Sequence, residues 1–95
     1  MIVWGVDPST RRVSIAWAGD QQGVATRSFN PDLTDGARLW HVYASTHELC
    51  RTLPRPTLVL VEQPFGAHVA PVSYLVMGAI MLACYRTTGA DVQPV

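Results

Sequence analysis

Residues 2–7, IVWGVD, form an apolar run that ends on a carboxylate, and residues 57–62, TLVLVE, repeat the pattern. Short continuous runs of this kind, bounded by turn residues, read as strands in the interior of a sheet, covered on both faces. Burying an ionised carboxylate without a partner is costly, so Asp7 and Glu62 each need a hydrogen-bonded cap, a cation or a metal. Both runs stop at a proline-containing turn, Pro8-Ser9-Thr10 after the first and Gln63-Pro64 after the second. The chain must therefore fold so that two interior strands bring their charged ends to solvent or to a counter-ion.

The remaining patterns supply the neighbours of these strands. Residues 12–18 alternate, with Val13, Ile15 and Trp17 on one side and Ser14 and Ala16 on the other. A turn at 20–23 leads to a third short strand at 24–29, and Asn30-Pro31-Asp32 breaks the chain. From Asp35 the period becomes helical: Leu39, Val42, Tyr43, Leu49, Cys50 and Leu53 mark an amphipathic helix. Thr34 or Asp35 is placed to cap it, and Pro54 and Pro56 end it. An apolar helix follows at 71–88, with Pro71 in its first turn and Gly89 closing it; 91–95 reads as a fifth strand. The order β-β-β-α-β-α-β predicts an α/β fold, a mixed sheet with helices packed on its faces. Residues 1–95 read as one small domain, without linker or repeat. A chain that is 48% hydrophobic and 15% charged is not disordered. Trp4 and Trp17 are expected in the core.

Seven arginines balance seven acids and there is no lysine, so the formal net charge is zero. Neutrality argues against strong nonspecific polyanion binding, which rests on cation density. Arg11 and Arg12 nevertheless sit together beside the Asp7 turn. Cys50 and Cys84 form no C-x-x-C, and no histidine spacing suits zinc, so two buried thiols in a reducing cytoplasm are expected. The N-terminus shows no signal peptide. The charge-free stretch 74–85 falls short of the about 20 residues that a membrane helix needs. His41, His47 and His68 are expected at the surface.

If the two carboxylate-ended strands are parallel neighbours, Asp7 and Glu62 emerge at one sheet edge. They then crowd each other unless a cation lies between them or one takes a proton. Mg²⁺ suits such a pair, with Mn²⁺ as the alternative, because it prefers a few hard oxygen ligands and retains water. Taken singly, Asp7 could instead accept backbone N–H groups in its turn, and Glu62 could pair with Arg11 or Arg12.

Gly5-Val6-Asp7-Pro8-Ser9-Thr10, the hairpin after it, and Val61-Glu62-Gln63-Pro64-Phe65 together resemble RuvC-type Holliday junction resolvases, of the ribonuclease H-like superfamily. The resemblance runs on through the small-residue-rich helix (Leu75, Gly78, Ala79, Ala83) and the strand at 91–95, and so covers nearly the whole chain. It implies a ribonuclease H-like mixed sheet and a metal-dependent endonuclease acting on branched DNA. Asp7 and Glu62 would be catalytic and metal-binding, and Phe65 would stack against bases at the junction centre. The helix 71–88 would form a homodimer interface, which fits its apolar character on nearly all sides. Ser9, Thr10, Arg11 and Arg12 are candidates for contact with phosphate, although Ser9 and Thr10 also suit a role in the turn.

The chain departs from the family pattern where two further acids, carried on a C-terminal helix, and the basic residues after the fifth strand are expected. Residues 1–95 thus supply half a site, as a fragment of a longer protein or as a degenerate copy. A noncatalytic dimeric module of the same fold is one alternative. An actin- or sugar-kinase-type nucleotide-binding domain is another, but it calls for glycine-rich phosphate loops where this chain has Pro8.

Overall fold

A computed structural model describes residues 1–64 and 69–95. Its strands are β1 (Ile2–Pro8), β2 (Arg12–Gly19), β3 (Gly23–Ser28), β4 (Leu58–Val61) and β5 (Asp91–Pro94); its helices are α1 (Asp35–Cys50) and α2 (Pro71–Thr88). The strands form one sheet in the order β3-β2-β1-β4-β5. β1, β2 and β3 pair antiparallel as a meander, whereas β4 joins β1 and β5 joins β4 in parallel. This is the mixed sheet that the element order predicts, and parallel pairs of this kind require the crossovers that α1 and α2 provide.

The β1–β2 hairpin is tied by Ser9. Its backbone N–H and its hydroxyl both donate to the Arg12 carbonyl, at 2.9 and 3.0 Å, and its Oγ accepts the N–H groups of Arg11 and Arg12. At the end of α2, Gly89 takes φ 65° and donates its N–H to the Tyr85 carbonyl, a left-handed stop that suits glycine.

The strands bury alternate residues. Ile2, Trp4 and Val6, Val13 and Ile15, and Val59 and Val61 form a single cluster with Val42, Leu49 and Cys50 of α1 and Val76, Met77, Ile80 and Cys84 of α2. The intervening residues turn the other way. Val3, Leu58 and Leu60 are half-buried, and Gly5, Ala16 and Ala18 are exposed. Among the described residues, then, one side of the sheet is covered and the other is open. This corrects the expectation that the runs at 2–7 and 57–62 are enclosed on both faces. Their off-core positions are apolar, but no described element packs over them. Trp4 is fully buried and donates its indole N–H to the Pro54 carbonyl at 2.9 Å. Trp17, its cross-strand neighbour, is half-buried at the edge of the same cluster.

Three local expectations are also corrected or refined. Thr34 holds the N-cap position of α1 and its carbonyl accepts the Arg38 N–H at 3.2 Å, but its side chain makes no cap bond; Asp35 takes φ 49°, a left-handed conformation that Asp tolerates better than most residues. The helix ends at Cys50 rather than Leu53, because the Thr52 hydroxyl takes the Leu49 carbonyl and the chain turns before Pro54. His41 is not a free surface side chain, since its Nε2 accepts the Asn30 N–H at 3.0 Å and its ring meets Phe29 edge-on. No described helix is long and apolar enough to cross a membrane.

Candidate functional site

The parallel ladder of β1 and β4 pairs Val6 with Val61. It continues one step further, with the Glu62 N–H donating to the Val6 carbonyl at 2.9 Å. Asp7 and Glu62 are therefore side by side at the C-terminal ends of adjacent strands. Because Val6 and Val61 point into the core, strand alternation sends the two acids toward the open side of the sheet. Both are exposed. The backbone pairing brings residues 7 and 62 to one rim of the sheet.

They share an open cleft of about 510 Å³ lined by Asp7, Pro8, Glu62, Gln63, Pro64, Val69, Ala70 and Ser73. Its far wall is the first turn of α2, whose N-cap residue, Ala70, makes no side-chain cap bond and which carries no acidic residue there. The partial positive end of that helix thus borders the two acids. Ser73 is a site residue that the sequence reading missed. The available signal was a hydroxyl in the opening turn of a helix that is otherwise almost wholly apolar.

The simpler fates of the two acids are not realised among the described residues. The ion pairs there join the N-terminal amine to Asp20 at 2.8 Å and Arg27 to Glu48 at 3.7 Å; Arg11 and Arg12 hold neither Asp7 nor Glu62. The turn after β1 is capped by the Ser9 hydroxyl rather than by Asp7. Ser9 is therefore committed to shaping the hairpin. Thr10 is half-buried, while Arg11 and Arg12 are exposed at the hairpin tip that follows Asp7. Phe65 and His68 lie outside the described residues.

Two exposed carboxylates from neighbouring strands are hard oxygen ligands of the kind that a strongly hydrated cation accepts. They make only part of a coordination shell: among the described residues, no group of three or more His, Cys, Asp and Glu is placed to hold a metal. Two of the other aspartates are engaged elsewhere. Asp20 pairs with the N-terminus, and Asp91, at the start of β5, accepts from the Gln93 amide at 2.6 Å.

No family model matches the sequence, and no curated protein matches it. Solved structures do match the fold. RuvC of Thermus thermophilus in complex with a Holliday junction substrate aligns with a TM-score of 0.74 at 20% identity, over 100% of this chain and 64% of that one. A second structure of Thermus thermophilus RuvC aligns with a TM-score of 0.68 at 20% identity, over 100% of this chain and 63% of that one. The chain thus spans slightly less than two thirds of these two RuvC chains. Sheet order, crossovers and these alignments agree: the chain has the α/β, ribonuclease H-like fold of RuvC, a five-stranded mixed sheet with flanking helices.

Proposed function

We propose that this chain carries the first two acids of a metal-dependent endonuclease acting on branched DNA, with Holliday junctions as the substrate class. The observation that supports this reading most directly is the juxtaposition of Asp7 and Glu62 at the rim of β1 and β4, with neither engaged by an arginine among the described residues. The fold likeness to a RuvC structure in complex with a Holliday junction substrate points the same way.

In this reading Asp7 and Glu62 would hold Mg²⁺ or Mn²⁺. Such an ion, when bound, activates water and stabilises the oxygens of an in-line phosphodiester displacement. Arg11 and Arg12 contact backbone phosphates on the approach to the cleft, with Thr10 beside them, and Ser9 holds the hairpin that presents them. Phe65, in the loop after Glu62, stacks against a base at the branch. Recognition then rests on backbone contacts and shape rather than on base edges. Asp7 and Glu62 supply part of the metal's shell, and residues 1–95 act as a single domain. The exposed α2 side chains Tyr74, Leu75, Leu82 and Tyr85 pair two copies of the chain. A DNA substrate and two free thiols fit a cytoplasmic setting.

The test is cleavage of a synthetic four-way DNA junction with Mg²⁺ or Mn²⁺. Metal-dependent incision of the junction, with linear duplex left intact, is expected. Asp7→Asn and Glu62→Gln should each reduce it by at least about 100-fold, the scale on which a charge-stabilising group acts. Incision unaffected by Asp7→Asn would remove the assignment. One observation favours a second reading: the metal site holds two acids and no third among the described residues. Junction binding and dimer formation without incision under either metal would select that noncatalytic module.

A further inference from the structure

Cys50 and Cys84 are the chain's two cysteines, and both are free and buried. Thirty-four positions apart in sequence, their sulfurs approach to 3.8 Å across the packing of α1 against α2. Neither belongs to the cleft or to any role assigned above. We propose that Cys50 and Cys84 are a redox-active dithiol, which a hydroperoxide oxidises to a disulfide that staples α1 to α2.

The geometry supports closure. A disulfide needs its sulfurs at about 2.05 Å. The remaining gap is smaller than the about 3 Å that a thiol sulfur moves between staggered χ1 positions. Cys50 is the last residue of α1 and is followed by the exposed Arg51 and Thr52, so opening one terminal turn exposes its sulfur. Cys84 is held deeper, mid-helix, with no exposed surface. The pair is also chemically unequal. The hydrogen bond with Cys84 pulls the Cys50 thiol down from its ordinary range, whereas the same bond and burial push Cys84 up. Cys50, at the end of its helix and next to exposed residues, is the sulfur that a peroxide reaches first, and it is the attacking sulfur.

In the first step the Cys50 thiolate attacks a peroxide oxygen. The O–O bond breaks, a sulfenic acid forms on Cys50, and the departing hydroxide takes up a proton as water. Cys84 then displaces the sulfenic hydroxyl: the S–S bond forms, the C–S bonds stay intact, and the Cys84 proton leaves with the hydroxyl as a second water. Two thiols and one hydrogen peroxide give one disulfide and two waters. Each sulfur loses one electron, and the peroxide gains two.

The 95-residue chain is treated with hydrogen peroxide under native conditions, remaining thiols are blocked with iodoacetamide, and the product is examined by intact mass and nonreducing peptide mapping. A monomer that has lost two hydrogens and carries a Cys50–Cys84 linked peptide is expected. Closing a loop of this length should raise Tm by about 10–20 °C, and dithiothreitol should restore the original value. Cys50→Ser should yield no linked peptide and no peroxide-dependent rise in Tm. If that variant does not fold, the reversal by dithiothreitol in the unmodified chain carries the result. Two thiols that stay alkylatable while the chain remains folded would overturn the proposal. So would linkage only between different chains, or linkage only after unfolding.

Discussion

The Thr46 side chain is completely enclosed on the core side of α1, and its Oγ1 has no hydrogen-bond partner among the described residues. A buried hydroxyl in that state forfeits its bonds to water and gains nothing in return. Thr46→Val keeps the shape and removes the polar atom, so it should raise unfolding stability by about 1–2 kcal/mol, read as a higher urea midpoint at unchanged slope. An unchanged or lower midpoint would mean that the hydroxyl is satisfied in the folded chain. Much of the site was legible at this scale. Asp7 and Glu62 stand out because an acid that ends an apolar run has no ordinary place to go. Ser9 was open to two readings, and the hairpin claims its hydroxyl. His41 was not legible, because its partner is a backbone N–H eleven residues away on the segment after β3. Ser73 was missed for a related reason: its importance comes from what stands across the cleft, and no local pattern records that.

α2 shows what an element's sequence does and does not specify. Pro71 and Gly89 mark its ends, and the helix runs Pro71–Thr88 as those signals predict. Its orientation is harder to read, since a helix apolar on nearly every side does not announce which side is buried. Packing selects Val76, Met77, Ile80, Ala83 and Cys84 for the interior and leaves Tyr74, Leu75, Leu82 and Tyr85 about half exposed. Ile80 has no exposed surface and sits within the cluster shared by α1 and the sheet. Ile80→Ala should cost about 3–4 kcal/mol in a denaturant titration, in the range for fully buried aliphatic truncations. A loss below about 1 kcal/mol would show that the neighbours collapse into the space. Leu53 keeps the helical spacing of α1 although the helix ends at Cys50. That residue is apolar for the sake of the core, which it flanks from the turn.

For the whole molecule, the element order and the mixed sheet could be read from periodicity and turn chemistry, but the side-by-side placement of β1 and β4 could not. Those strands are far apart in sequence, and their pairing is a tertiary outcome that no local pattern encodes. The same limit applies to the open side of the sheet: apolar residues at Val3, Leu58 and Leu60 look identical on paper whether or not something covers them. The outer side of α2 bears on assembly. Leu75, Gly78, Leu82 and Tyr85 recur at a helical repeat and form an exposed stripe with a glycine in its middle, where two backbones can approach closely. For the proposed dimer, Leu82→Asp should convert a two-subunit species to a single subunit in sedimentation velocity at tens of micromolar, with the far-UV spectrum unchanged. A wild-type chain that sediments as one subunit at those concentrations would argue against pairing through α2.

The single rung that carries the ladder from Val61 to Glu62 has a bearing on tolerance to mutation. Deleting one residue from β4 would swap inward for outward along everything after it, driving the Glu62 carboxylate toward the oily interior and ejecting Val61. Insertions and deletions there should therefore be rejected at folding, before any loss of chemistry could be noticed. Any length variant of this strand that still assembles has, by the same stroke, kept positions 7 and 62 aligned.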